Sequence, residues 1–316
     1  VHGLRSGRVI KNNLWGRVSG ALRMGAFSKK PGDFFRWLES AEGKAASATF
    51  YPGQKISEDS YAPRMLYAEY LQYILRNTME LAKSKHIDIR IHHTNVDDAE
   101  YGACLTLITR QGERIAADAA ILATGNLPPR DFSFANTLGA RYIADIWHTL
   151  PRDMPSLQED ATIAIIGTGL TTVDAVLSLK KRGYKGRVVA ISRHGWIPAC
   201  HEHTKDYPAW EWVSHPLNAP KTALGLLAGL RAEIKRAKAA GYHWQAVVDS
   251  IRPVTQTLWK QLPLHEQKRF SRNLFTVWNV HRHRMAQEIY SQLHMLQKSG
   301  MLTIAAGKIL DARQEN

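Results

Sequence analysis

Cysteine is scarce. The 316 residues hold only two, Cys104 and Cys200. They are too few for a disulfide framework and too far apart for a CxxC redox pair. That usage suits a reducing, cytoplasmic setting. Long hydrophobic runs are also missing. No segment reaches the roughly 18 apolar residues of a membrane span. The best run, Ala223 to Leu230, is short and lies between Lys221 and Arg231. The N-terminus lacks the charged-then-apolar pattern of a signal peptide. Acidic residues are few, 28 against 42 lysines and arginines, for a formal net charge of +14. The basic residues are dispersed. The densest group, Arg231, Lys235, Arg236 and Lys238, falls on an amphipathic pattern. It reads as a solvated helix face, with an anion-attracting surface as the sharper alternative. There is no zinc-finger spacing, basic region with heptads or basic–aromatic repeat, so neither nucleic acid nor membrane is an expected partner.

What is present is a core-forming composition. The chain is 44% apolar and 9% aromatic, enough for about two domains. Asp33 to Glu39 reads as a short amphipathic helix after Pro31-Gly32. Residues 44–60 read as a polar loop. Pro63 opens a long helix, Arg64 to Lys85, with Leu66, Tyr70, Leu71, Ile74, Leu75 and Leu81 at helical spacing. Alternation at Ile87, Ile89 and Ile91, and again at Leu105 and Leu107, predicts half-buried strands, with a hairpin turn at Gln111-Gly112. Ile115 to Ala117 continues this meander. The run Ala119 to Ala123 predicts a buried strand ending at Thr124-Gly125. After a proline-bearing connection over 126–160, Thr162 to Ile166 predicts a strand, Leu170 to Arg182 a helix and Arg187 to Ser192 a second strand, a βαβ unit. Tyr207 to Lys298 reads mainly as helix, with Trp210, Trp212, Trp244, Trp259 and Trp278 mostly as core aromatics. Leu302 to Asp311 returns to strand character.

The chemistry concentrates where the βαβ unit turns. Gly167-Thr168-Gly169 stands between a strand and a helix. The first glycine permits the tight turn, and the second lets a diphosphate approach the backbone. The helix N-terminus offers free N–H groups and partial positive charge. Gly167, Thr168, Gly169, Leu170, Thr171 and Thr172 are therefore the candidate diphosphate residues. Thr172 stands where the usual fingerprint has Gly or Ala. The second strand ends at Arg193, where an acidic residue would bind a ribose hydroxyl. A guanidinium suits a 2′-phosphate instead, so NADP is expected over NAD.

The order of motifs resembles the two-dinucleotide-fold flavoproteins. The meander leads into Ala123-Thr124-Gly125. Gly-x-Gly-Leu-Thr-x-Val-Asp follows at 167–174, and Ile-Ser-Arg at 191–193. More closely, it is similar to the bacterial FAD-NAD(P)-binding family of flavin oxidoreductases. Arg23-Met24-Gly25-Ala26-Phe27, Phe35-Arg36-Trp37-Leu38, Pro63-Arg64-Met65-Leu66-Tyr67 with Tyr70-Leu71, and Val280 to Ala286 carry the likeness further. The resemblance implies FAD and NADP as cofactors, electrons passing from NADPH to flavin, and kinship with flavin-dependent hydroxylating monooxygenases. It implies that Ala123, Thr124, Gly125 and Asn126 lie near the flavin. It also implies an α/β fold: an incomplete Rossmann-like FAD half over 1–130, an NAD(P)-binding Rossmann-like region over 131–206, a helical insertion over 207–298 and a return strand of the incomplete domain over 299–316. The family's own first GxGxxG unit has no counterpart before Arg23, and the chain starts with Val1. The expectation is a chain truncated at both ends. The alternative function is a non-catalytic nucleotide-binding protein.

Other groups carry less. His201-Glu202-His203 lacks HExxH spacing and an evident third ligand, so no metal is expected. His281, Arg282, His283 and Arg284 could touch cofactor phosphate or an acidic substrate, or pair with neighbouring carboxylates. Asp174 reads as structural, and Cys200 as a plain loop cysteine rather than a reactive thiol. No catalytic acid, base or nucleophile stands out. The substrate is a small molecule that the sequence does not name.

Overall fold

The computed structural model describes residues 17–18, 26–27, 30, 32–53, 56–57, 62–102, 104–124, 130–146 and 160–313. It is a mixed α/β chain in two compact units. Val1–Leu157 with Asp311–Asn316 form one, and Gln158–Leu310 the other.

The first unit begins with a two-residue ribbon. Strand β1 (Arg17–Val18) pairs antiparallel with β2 (Ala62–Pro63). Helices α1 (Asp33–Glu39) and α2 (Ala41–Phe50) are separated by one residue. Ser40 makes that corner. Its hydroxyl donates to the Trp37 carbonyl at 2.6 Å and accepts from the Gly43 N–H at 3.1 Å, satisfying a free amide of the new helix. Gly43 is required, because a Cβ there would stand 2.0 Å from the Trp37 oxygen. The expected polar loop over 44–60 is thus helical through Phe50. The alanines at 41, 45, 46 and 48 favour helix once Ser40 caps it.

Helix α3 (Arg64–Ser84) follows Pro63 directly. The side chains of Leu66 and Tyr70 on α3 meet Phe34, Trp37 and Leu38 on α1 in an aromatic core. Phe34 lies edge-on to Tyr67, with ring centroids 5.1 Å apart, and 5.4 Å from Tyr70. The Tyr70 hydroxyl donates to Asp33 Oδ2 at 2.7 Å and accepts from the Ala26 N–H at 3.0 Å. Burial pushes the phenol up to about 12. The tyrosine's hydrogen bond holds the Asp33 carboxyl below its ordinary range. A carboxylate held low stabilises the fold above its unfolded pKa, and that stability is lost as pH falls through the folded value. Asp33→Asn should therefore weaken this corner by about 1–2 kcal/mol at neutral pH. It should also flatten the loss that the wild type shows on acidification below about pH 4. Amide exchange of α1 and α3 at both pH values reads this directly, and equal acid sensitivity of the two proteins would refute it.

A meander follows: β3 (Val96–Tyr101), β4 (Leu105–Thr109) and β5 (Arg114–Ala117), all antiparallel. Gly112 takes φ +82° at the hairpin, where its N–H bonds the Thr109 carbonyl at 2.9 Å. Two expected strands are absent. Residues 87–91 form no strand, and Ile87, Ile89 and Ile91 are exposed. Residues 119–124 also form no strand, and Ile121 and Leu122 are 93% and 88% exposed. An extended apolar run becomes a strand only when neighbours take its N–H and C=O groups. Among the described residues none pairs with either run. A short helix, α4 (Ala135–Leu138), follows.

The second unit is built on β6 (Ile163–Ile166), α5 (Leu170–Lys181) and β7 (Val188–Ser192). β6 pairs parallel with β7, Ile163 opposite Val188 through Ile166 opposite Ile191. Residues 172–179 of α5 are all buried. A helical stretch follows: α6 (Glu211–Ser214), α7 (Ala223–Ala239), α8 (Trp244–Ser250), α9 (Thr255–Gln261), α10 (Leu264–Asn273), α11 (Phe275–Arg282) and α12 (Gln287–Lys298). The chain then returns as β8 (Leu302–Ala306), which pairs parallel with β7. This last strand stands beside β7 and makes it the central strand of three. Burial follows this order, for Val188 and Ala190 of β7 are fully buried.

The helices pack around Trp212, Ala219 and Leu258, with Trp210 against them. Gly229 of α7 lets Trp212 in, since a Cβ there would lie 2.3 Å from the indole. Thr222 caps α7 by accepting from the Gly225 N–H, and the buried Glu266 accepts from the Ala223 N–H at 2.7 Å. Arg231, Lys235, Arg236 and Lys238 are exposed on α7, with Arg236 paired to Glu233 at 3.0 Å. That is the arrangement of a solvated face. Among the described residues no helix is long and apolar enough to cross a membrane.

Candidate functional site

The turn from β6 into α5 has the geometry its residue types demand. Gly167 sits at φ +112°, a region that L side chains rarely adopt. Its N–H donates to the Ile191 carbonyl at 2.7 Å, tying the turn to β7. The Thr172 hydroxyl donates back to the Gly167 carbonyl at 2.9 Å. A threonine in place of the usual third small residue therefore closes the turn by its own side chain.

Gly169 is different. Its φ of −80° and ψ of −172° are open to any residue. A Cβ there would meet no atom of the described residues within 4 Å. Neither backbone strain nor packing against the described residues calls for glycine at this position. The helix it opens has no side-chain cap and no acidic residue in its first turn. Gly169 and Thr171 are exposed at its start, and an uncapped helix N-terminus is an arrangement that can accept an anion.

Thr168 is buried between the two ends of the site. Its hydroxyl hydrogen-bonds Ser192 Oγ at 2.8 Å and donates to the Trp196 carbonyl. The Gly195 N–H donates to Ser192 Oγ at 3.1 Å, and the Gly307 N–H to the Ser192 carbonyl at 2.8 Å. The turn at 167–169 and the segment at 192–196 are thus one hydrogen-bonded assembly at the carboxyl ends of the parallel strands. Arg193 is exposed on it and, among the described residues, has no ion-pair partner.

The other residues singled out from the sequence belong to other segments. Ala123 and Thr124 are exposed and irregular in the first unit. Gly125 and Asn126 lie outside the described residues. Asp174 is buried inside α5.

Around His201 the second unit is tightly held. The buried Gln245 side chain donates to the Cys200 carbonyl at 2.8 Å and accepts from the Glu202 N–H at 3.0 Å. The Ala199 N–H bonds Val280, and Ala199 accepts from Met285. His201 Nε2 lies 3.5 Å from Arg284. Burial, then the Arg284 charge, pushes its pKa down, so it is neutral near pH 7. Burial likewise pushes the Cys200 thiol up, away from the reactive thiolate. Glu202 and His203 are exposed. Among the described residues no group of three or more His, Cys, Asp or Glu is placed to hold a metal ion. Arg284, which the sequence left open between ligand and structure, is buried and pairs with Asp249 at 2.5 Å.

Sequence motifs missed Trp196. It stacks on His194 with ring centroids 4.4 Å apart, next to Arg193. The available signal was two aromatic rings flanking a glycine directly after the second strand.

Residues 13–127 match the family described as FAD-NAD(P)-binding. That match supports binding of FAD and NAD(P), and a flavin- and nicotinamide-dependent oxidoreductase. It falls within the first unit and ends before Gly167. No curated protein matches the chain.

Proposed function

We propose that the chain is an NADPH-linked flavoprotein oxidoreductase whose dinucleotide site is the β6–α5 turn. The observation that carries this is Gly169: a glycine with ordinary backbone angles and open space in front of it, at the head of an uncapped helix. A diphosphate against the backbone is what needs that position bare. Gly167 shapes the turn, and Thr168 and Thr172 brace it. The N–H groups of Leu170, Thr171 and Thr172 face the diphosphate. Arg193, at the end of β7, pairs with a 2′-phosphate, which selects NADP over NAD.

The chemistry the cofactors would supply when bound is hydride transfer from nicotinamide to flavin, serving a monooxygenase-type reaction in one form of this reading and a simple reduction in the other. The chain's own task is to hold and orient both. Residues 123–126 are the candidate flavin contacts, on the family resemblance alone. The domain assignment in this reading keeps 131–206 for NADP.

Incubation with FAD, desalting and anaerobic addition of NADPH tests the proposal by the visible flavin spectrum. Retained flavin that bleaches faster with NADPH than with NADH is the expected result. Arg193→Ala should remove that preference, by about tenfold or more in NADPH affinity, with NADH unaffected. A chain that binds NADPH but retains no flavin would instead favour the non-catalytic nucleotide-binding protein.

A further inference from the structure

We infer that Trp196, backed by His194, is a stacking platform for the adenine base of the dinucleotide; the inference rests on the dinucleotide site proposed above. Trp196 is 44% exposed, yet it is not loose. One face of the indole lies on His194, with an interplanar angle of 22°. Its backbone carbonyl accepts from Thr168 in the glycine turn itself. Gly195, between the two rings, takes φ +63° and packs against the end of β8, where a Cβ would come within 3.3 Å of Ala306. The backbone that carries the rings is therefore tied to the glycine turn and to the end of β8, and the rings stack on each other.

The position fits the adenosine half. In such a unit the diphosphate lies at the helix N-terminus and the adenosine ribose at the end of the second strand. Arg193 occupies the latter place, so the base extends past it, over residues 194–196. An exposed, preoriented indole offers a base a flat partner that tolerates water at its edge. The three parts divide the ligand: the glycine turn takes diphosphate, Arg193 the 2′-phosphate and Trp196 the base.

Calorimetric binding to the full chain tests this with adenosine 2′,5′-bisphosphate, NADPH and inorganic pyrophosphate. Trp196→Ala should weaken the bisphosphate and NADPH by roughly tenfold or more. Trp196→Phe, which keeps a ring, should recover most of that loss. Pyrophosphate reaches only the turn and should bind Trp196→Ala as it binds the wild type. Unchanged bisphosphate affinity in Trp196→Ala overturns the inference. So does a parallel loss of pyrophosphate, because the effect would then run through the Thr168 tether. A wild-type chain that binds neither NADPH nor the bisphosphate overturns the dinucleotide site itself, and the platform with it.

Discussion

Replacing Gly169 with valine should abolish NADPH binding while leaving the fold intact. The separation of these effects makes the substitution informative. Gly169 has backbone angles open to any residue, and a Cβ would strike no atom of the described residues within 4 Å. The second unit should therefore accept the side chain at no more than the cost of a poorer N-cap, about 1 kcal/mol, well below the expected effect on binding. A diphosphate must approach this backbone closely to reach the N–H groups of α5, and two methyl groups would hold it off. The expected loss is at least about a hundredfold in NADPH affinity, or roughly 2.7 kcal/mol. Gly167→Val is the contrasting case. At φ +112° that substitution strains the turn whatever the ligand, so binding and stability should fall together. Isothermal titration and thermal melts of both variants give the comparison. Equal NADPH affinity in wild type and Gly169→Val would mean that the open space at the turn is not a cofactor site.

The same glycines show which parts of this molecule are legible in sequence. A strand, a tight turn and a helix are local events, and Gly167-Thr168-Gly169 between two apolar runs specifies all three. The helix α3 is legible for the same reason: Pro63 marks its start, and Leu66 and Tyr70 recur at helical spacing. Strands are harder, because a strand exists only through its neighbours. Leu105 to Thr109 and Arg114 to Ala117 close on each other through a hairpin, so they pair. Ile87, Ile89 and Ile91 alternate as well but have no strand partner among the described residues. Ala119 to Ala123 reads as a buried strand, yet its leucine and isoleucine lie bare. The opposite occurs at Leu302 to Ala306. Its strand character is visible, but its place beside β7 depends on a return of more than a hundred residues, which no local pattern encodes. Helix α2 was hidden by polar composition, because its signals are one capping serine and a set of alanines. Trp196 shows the limit for the site. Its ring stacking and its tether to Thr168 are tertiary facts.

Arg284→Met should produce the largest loss of stability in the second unit. The Arg284 side chain is 2% exposed and pairs with Asp249, which is 28% exposed, at 2.5 Å. The guanidinium also lies over the Trp244 ring, 5.9 Å from its centroid. It stands beside His201 on the segment pinned by Gln245. One side chain thus joins α8, the 199–202 segment and the residues just before α12. Removing one partner of a buried pair leaves the other charge without compensation, at a cost of about 3–5 kcal/mol for full burial. Asp249 keeps some access to water, and Arg252 lies 3.9 Å away. Both relieve the stranded carboxylate and lower the expected cost to about 2–3 kcal/mol. For a unit of this size that is a fall of roughly 5–10 °C in unfolding midpoint. The double variant Arg284→Met, Asp249→Leu replaces the pair by apolar groups and should recover much of the loss, since no charge is then left buried. A single variant within about 0.5 kcal/mol of wild type would show that packing of the methylene stem, not the ion pair, is what Arg284 contributes. The double variant also bears on the site. Arg284 sits near the 199–202 loop but not on the β6–α5 turn, so NADPH affinity should survive its removal wherever the unit remains folded. Binding that persists through this destabilisation, and vanishes in the stable Gly169→Val, would place recognition in the turn and stability in the helices behind it.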